Sequence, residues 1–307
     1  MRARGPPWDL AAWCGGCLPP SDPSGVTRTL SAPRRLAAPN SRDASPSVGR
    51  QPIPPGRILA AHSQFHVDFL TASKPDDGIV PLDPDTWMSP ASLRVAELAA
   101  GAVFAGMDTV LNGTRQRVFC AVRPPGHHAE RHSAMGFCLL NSVAIAAIAA
   151  LDHADVERVA ILDFDVHHGN GTVDICRDHP QILVCSSFQS PYYPNRLDDL
   201  VQPNIVNTPL TAGSSGSTFR AAIERDWLPA LEAHQPDIVF VSAGFDAHID
   251  DPLADLRLVE DDYRWVTQFI VAVANQYAQG RVVSTLEGGY NLEALAQSAA
   301  LHIEALA

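Results

Sequence analysis

The stretch 159–172 constrains the fold more than any other part of the chain. It reads Val-Ala-Ile-Leu-Asp-Phe-Asp-Val-His-His-Gly-Asn-Gly-Thr. The apolar lead-in at 159–162 has the composition of a buried strand. Two carboxylates and two imidazoles then arrive within six positions, 163–168, and glycines at 169 and 171 interrupt the strand. Strand alternation predicts that Asp163, Asp165 and His167 share one face. Charge at that density does not enter an apolar interior unless it is paired or holds a metal.

The same strand, polar loop and helix pattern repeats along the chain. A helix is predicted from Ser89-Pro90 to about Leu111, stopping at Asn112-Gly113. A strand at 118–122 leads into a loop carrying His127 and His128, and an Ala-rich helix follows over 139–151. Strands at 158–163, 181–186, 238–242 and 282–286 alternate with helices at 215–234, 260–278 and 292–305. The last strands end in Ala243-Gly244-Phe245-Asp246 and Glu287-Gly288-Gly289-Tyr290. Such alternation gives a mainly parallel sheet with helices on both faces. The chain has 307 residues, 46% of them hydrophobic, enough for one large α/β domain or two small ones.

Residues 1–57 differ from the rest. They are rich in Pro, Arg, Ser and Gly and keep neither helical nor strand periodicity, so an extension without a packed core is expected there. The folded domain is expected over 58–307. A helix is predicted over 58–70, with His62 and His66 read as surface side chains; 74–88 reads as an acidic loop. Cys14 and Cys17 form a CxxC without a second pair, read as chance. Cys120, Cys138, Cys176 and Cys185 read as buried or half-buried thiols. Lys+Arg is 22 against Asp+Glu 34, a net charge of −12. That balance argues against sequence-independent nucleic-acid binding. No run reaches membrane-spanning length and no secretory leader is evident, so the expectation is no membrane partner and, by default, a cytoplasmic location.

In open parallel sheets the functional crevice lies beyond the carboxyl ends of the strands. Here His127-His128, Asp163/Asp165/His167, Asp246 and Tyr290 each fall at such an end. Asp165, His167 and Asp246 make the three-ligand N/O set of a catalytic zinc with one position open for water and a carbonyl oxygen. One of His127 and His128 would act as general base. Asp163 and Asn170 are placed to hydrogen-bond the two imidazoles, and Tyr290 to donate to a developing oxyanion.

Four segments resemble the signature blocks of the histone deacetylase superfamily, in its class II-like and bacterial branch with the acetylpolyamine amidohydrolases. They are Arg123-Pro124-Pro125-Gly126-His127-His128, the run from Asp163 through Asn170 to Thr172, Ser242-Ala243-Gly244-Phe245-Asp246-Ala247-His248, and Leu286-Glu287-Gly288-Gly289-Tyr290-Asn291. The resemblance implies a three-layer αβα arginase/deacetylase fold and a zinc-dependent amidohydrolase acting on acylated lysine peptides, acylated polyamines or small amides. It implies His128 as general base with His127 as electrostatic partner, Tyr290 as oxyanion donor, and one zinc on Asp165, His167 and Asp246. It implies a structural potassium near Asp163 and Ser186, with main-chain oxygens of Asp165 and His167. Phe137 and Tyr193, with Gly136 and Gly289, would shape a substrate tunnel, and Asp85 would stand at its rim. A homo-oligomer is compatible with it.

The family's usual first strand, with its Gly-His-Pro-Glu-Arg-like loop, has no counterpart beyond a remnant at Ala32-Pro33-Arg34-Arg35-Leu36. Two other functions fit parts of the pattern. Asp246-Ala247-His248-Ile249-Asp250 resembles the metal motif of a two-metal, arginase-like hydrolase. The altered start is also compatible with a non-catalytic acyl-lysine binder.

Overall fold

The computed structural model describes residues 51–307. The expectations for 1–50, including Cys14, Cys17 and the remnant at 32–36, lie outside the described residues. The elements in chain order are α1 (Pro55–Ala61), α2 (Gln64–Ser73), β1 (Val80–Pro81), β2 (Trp87–Met88), α3 (Ser92–Leu111), β3 (Arg117–Cys120), α4 (Ser142–Ala150) and β4 (Val159–Asp163). They continue with α5 (Asn170–Cys176), β5 (Ile182–Gln189), β6 (Ile205–Leu210), α6 (Gly216–His234), β7 (Ile238–Ala243), α7 (Glu260–Tyr277), β8 (Val282–Leu286) and α8 (Leu292–Leu306).

Six strands form one parallel sheet in the order β3-β8-β7-β4-β5-β6. The inner strands β4, β5 and β7 are buried along their whole length, and each opens on four apolar residues. Period-two alternation then divides their side chains between two cores. Val159, Ile161, Ile182, Val184, Ile238 and Phe240 face one layer, with α3 and α4. Ala160, Leu162, Leu183, Cys185, Val239 and Val241 face the other, where α6 and α7 bring Trp227, Tyr263 and Ile270. This is the three-layer α/β arrangement expected from the sequence.

Topology fixes where a site can form. The chain leaves β4 toward β5 and β6 on one side, while β7, β8 and β3 lie on the other. The carboxyl ends of β4 and β7 are therefore neighbours at a switch point, where a crevice opens. Asp163 and Ser242 are register partners, so the loops that follow them start at the same level.

Several local expectations need correction. Helix 58–70 is two helices, broken at His62 and Ser63, where Ser63 Oγ caps α2 through the His66 amide at 3.2 Å. His62 and His66 are not surface residues: both are buried. His62 Nδ1 donates to the Glu130 carbonyl at 2.9 Å, its Nε2 accepts from the Asn141 amide at 2.9 Å, and His66 Nε2 bonds the Leu139 carbonyl at 2.8 Å. The pair anchors the loop behind His128, and a four-residue spacing on one helix could not show a partner 68 positions away in sequence. The acidic loop contains the β1–β2 hairpin. Strand β6 was missed because Pro209 interrupts its pattern; it is an edge strand, where proline is tolerated. Helix α5 was missed because Gly169 and Gly171 read as loop. A Cβ at Gly171 would stand 2.3 Å from the Ala129 carbonyl, so glycine there serves close packing against the His127-His128 loop.

Burial makes the fold sensitive to acid. The His62 imidazole is pushed down to about 3 by desolvation and by His66, and burial alone pushes His302 to about 3. Each stays neutral in the native state while the unfolded chain takes up a proton near pH 6.5. Stability therefore falls as pH drops below 6.5 and levels off near 3. Between pH 7 and pH 5 the expected loss is about 2 kcal/mol per histidine. Urea unfolding across that range checks this, with His302→Gln expected to flatten the profile; parallel profiles for parent and variant would contradict it.

Candidate active site

The crevice gathers loops from four strand ends. From β3, the loop 121–141 brings His127 and His128. Its course is set by Glu287 at the end of β8, whose Oε2 accepts the Gly126 amide at 2.6 Å and the His127 amide at 3.2 Å. Glu287 Oε1 accepts the Ser242 hydroxyl at 3.1 Å. Strand β4 ends at Asp163, so alternation does not carry Asp165 and His167; the loop after it turns them inward instead. All three side chains are nonetheless buried at one place.

Asp165, His167 and Asp246 place one ligand atom each within 4.8 Å of one another. His167 Nδ1 lies 3.1 Å from Asp165 Oδ1 and 3.2 Å from Asp246 Oδ2. Asp165 Oδ2 accepts the Gly288 amide at 2.8 Å, and Asp246 Oδ1 accepts the Val166 amide at 2.9 Å. Asp246 Oδ2 is buried and accepts no well-aligned hydrogen bond; its partner is the His167 imidazole, in an ion pair at 3.2 Å. Carboxylates come this close only because the backbone does. A Cβ at Gly244 would sit 2.1 Å from Asp165 Oδ2, and one at Gly288 would sit 2.0 Å from Asp246 Oδ2. Among the described residues no second group of three such ligands forms. His248, part of the arginase-like motif, instead accepts the Asp250 amide on Nδ1 at 3.1 Å.

The two imidazoles differ in charge. His127 Nδ1 meets Asp163 Oδ2 at 3.0 Å. Burial opposes its protonation, but Asp165 and Asp163 outweigh burial and hold it well above the usual histidine range. His128 Nδ1 meets Asn170 Oδ1 at 2.7 Å. Burial, with His127 and His167 nearby, pushes it well below that range, so it is a neutral ring beside a charged one. Burial disfavours a proton on His167 as well, yet Asp165 and Asp246 raise it to about 10. Burial and Asp165 raise Asp246 to about 6.

A cavity of about 180 Å³ opens over these groups. Its lining joins His128, His167 and Tyr290 to Phe137, Tyr192, Tyr193 and Leu253, with Gly136 and Asp85. Tyr193 packs edge-on against His128, ring centres 5.2 Å apart, while Tyr192 stacks on His167 at 5.7 Å. Asp85 Oδ1 accepts the Gly136 amide at 3.0 Å, which ties the β1–β2 hairpin to the loop that carries His128. Burial and nearby carboxylates raise the Tyr290 phenol far above its usual range, so it stays a donor. Gly289, at φ 129°, sets the turn that presents it, and Arg123 donates to the Gly289 carbonyl at 3.1 Å. Ser186, opposite Asp163 in the β4–β5 register, lies buried below. Tyr192, Leu253, Glu130 and Glu287 were not singled out from the sequence. Glu287 stood inside a quoted motif, as a charge ending an apolar strand.

The histone deacetylase domain matches residues 22–306. The chain belongs to the histone deacetylase family. Within it, the chain is 46% identical over 244 residues to the uncharacterized protein slr0245 of Synechocystis, covering 78% of each. It is 34% identical over 298 residues to the histone deacetylase-like amidohydrolase of Pseudomonas aeruginosa, covering 93% of this chain and 78% of that one. The crystal structure of the HDA15 HD domain superposes with a TM-score of 0.77 at 34% identity, over 83% of this chain and 73% of that chain. The chain is thus a hydrolase of the histone deacetylase family with that family's α/β fold. No helix among the described residues is long and apolar enough to cross a membrane.

Gly136 illustrates how tightly this family member builds its site. Its φ is 55°, and a Cβ would lie 2.2 Å from His128 Cδ2. Gly113 has φ 75° with nothing within 4 Å of a Cβ. Gly113→Ala is expected to cost about 1 kcal/mol of backbone strain. Gly136→Ala adds overpacking against His128 and is expected to cost on the order of 3 kcal/mol. Denaturant unfolding of both variants checks the difference; equal losses would mean that His128 moves aside freely.

Proposed function

We propose that the chain is a zinc-dependent amidohydrolase that removes acetyl or other acyl groups from lysine side chains or related acylated amines. The observation that carries this reading is the convergence of Asp165, His167 and Asp246 within 4.8 Å at the base of a pocket shared with His128 and Tyr290. The donor set suits a divalent cation. Two carboxylates converge on the Nδ1 of one imidazole, so the proton on His167 occupies a place that a cation can take over. Asp246 Oδ2 is a buried oxygen that accepts no well-aligned hydrogen bond and shares its one ion-pair partner, His167, with Asp165, so a cation there would be better matched to the two carboxylates.

Zinc held by those three residues supplies Lewis acidity toward an amide carbonyl and a water molecule. The rest is done by the chain's own groups. Asn170 holds the His128 Nδ1–H and leaves Nε2 free to take a proton from the attacking water. His127, kept charged by Asp163, favours negative charge developing nearby. Tyr290 donates its hydroxyl to the oxygen of the amide carbonyl as charge builds there. His128 Nε2 then returns its proton to the departing amine nitrogen, and the products are a carboxylate and a free amine. Phe137 and Tyr193 hold the aliphatic stem, and Asp85 meets the donor groups that flank it. Potassium, if bound, would rest on Asp163, Ser186 and main-chain oxygens of Asp165 and His167. Asp163 Oδ2 also meets His127 Nδ1 and Oδ1 accepts the Asp165 amide, and each oxygen keeps a lone pair for a cation.

Two outcomes test the reading. Zinc is expected to bind one ion per chain and to raise the melting temperature of chelator-treated protein, as any ligand selective for the native state does. Asp246→Asn should lose that shift; two manganese ions per chain would favour the arginase-like alternative. Tyr290→Phe is expected to keep the fold and lower turnover of an acetyl-lysine peptide by about 100-fold or more. Near-parental turnover would remove Tyr290 from the mechanism, and preference for acetylated polyamine over peptide in the same assay would set the substrate class.

A further inference from the structure

Glu130 touches none of the groups that meet the substrate, yet its buried carboxylate collects donors. Oε1 accepts Asn170 Nδ2 at 2.7 Å. Oε2 accepts the Ser133 hydroxyl at 3.1 Å and Arg196 Nη2 at 2.8 Å. On its far side the same Asn170 meets His128 Nδ1 through Oδ1 at 2.7 Å. An asparagine amide has an acceptor at one end and a donor at the other, and a rotation of half a turn about χ2 exchanges them. A carboxylate paired with arginine can only accept. It therefore draws Nδ2 toward itself and leaves Oδ1 facing the imidazole. Facing an acceptor, a neutral imidazole must carry its proton on Nδ1, which leaves the lone pair on Nε2. The reversed amide would face Nδ1 with a donor and force the proton onto Nε2, where a base needs to be empty. The other neighbour of Asn170 Nδ2, Met135 Sδ at 3.2 Å, is too weak an acceptor to impose this choice.

We infer that Glu130 is a positioning residue that fixes the orientation of the Asn170 amide and, through it, the Nδ1–H tautomer of His128. Its consequence for turnover rests on the reading of His128 as general base; the tautomer itself does not. Glu130→Gln removes the forcing term. With its oxygen turned to Arg196, the new amide presents NH₂ to Asn170 and favours the flipped side chain.

The experiment is a long-range ¹H–¹⁵N spectrum of the full chain carrying ¹⁵N-histidine, with the His128 signals assigned through His128→Gln. Parent protein is expected to show the Nδ1–H pattern, and Glu130→Gln to shift His128 to Nε2–H. In the same variant kcat should fall by at least about 10-fold with KM within about 3-fold, as for loss of an orienting partner. The double variant N170D/E130Q should regain both the Nδ1–H pattern and most of the lost kcat, because a carboxylate at 170 accepts from His128 whatever its neighbour. Retention of Nδ1–H in Glu130→Gln would overturn the inference. If Glu130→Gln fails to fold, N170D/E130Q compared with Asn170→Asp alone carries the test. The single variant sets two carboxylates against each other, so the double variant should melt higher and turn over faster, and the opposite order would overturn the inference. A protein without turnover whose tautomer still switches in Glu130→Gln would refute the catalytic reading and support the role of Glu130.

Discussion

Convergence of buried charge is the constraint around which the molecule is arranged. Two carboxylates at the ends of adjacent strands point at one imidazole in a largely buried place at the foot of the cavity. Left alone, each buried ion costs several kcal/mol in lost hydration. The fold answers with main-chain amides on the outer oxygens of Asp165 and Asp246, and with the positive His127 behind them. What remains is two carboxylates sharing one imidazole, with no well-aligned hydrogen bond to Asp246 Oδ2, and that imbalance is the chemical demand for a cation. The parallel sheet makes the demand possible, because only adjacent carboxyl ends at a switch point bring two such loops to the same level.

Around that centre, carboxylates act mainly as clamps on the backbone. Glu287 grips the amides of Gly126 and His127, tying the β3 loop to the end of β8. Asp251 grips the amides of Tyr290 and Asn291 with Oδ2 and that of Leu253 with Oδ1, tying the β7 loop to the turn that presents the phenol. Each clamp fixes the loop that carries a reacting group while standing outside the pocket lining. Rigid placement by such indirect contacts is what allows the hydroxyl and the imidazoles to be oriented before substrate arrives.

Much of this was legible in the sequence, for a physical reason. Buried parallel strands open on apolar runs, so an acid or imidazole at the end of such a run marks itself. Asp163, Asp165, His167, Asp246 and Tyr290 were found that way, and the order of strands and helices followed from the same periodicity. What stayed hidden depends on contacts between distant segments. His62 and His66 look like any exposed pair on a helix until their partners at 130, 139 and 141 are known. Strand β6 hides behind Pro209, and α5 behind two glycines whose role is close approach. Glu130 follows two histidines and an alanine in the chain, and nothing local shows that its carboxylate ends on an asparagine forty residues on.

The layer beneath the site shows how the ligand loops are held from below. Phe164 and Phe245 immediately precede Asp165 and Asp246, and both rings turn down as the acids turn up. They pack against each other at 6.0 Å and against Tyr263 of α7 and His302 of α8. His302 is fixed in turn, with Nδ1 2.6 Å from the Thr267 hydroxyl and Nε2 2.8 Å from the Ser284 hydroxyl. Thr267 spends its own proton on the Tyr263 carbonyl, so it accepts from Nδ1–H, and Ser284 donates to Nε2. One neutral imidazole thus joins α7, α8 and β8 under the two loops that carry the acids. Since interiors pack at crystal-like density, a shift in either helix must reach the ligand loops through these rings. The Asp-Phe-Asp and Gly-Phe-Asp runs are therefore two-sided devices, with the acid committed to the site and the aromatic to the core that keeps it there.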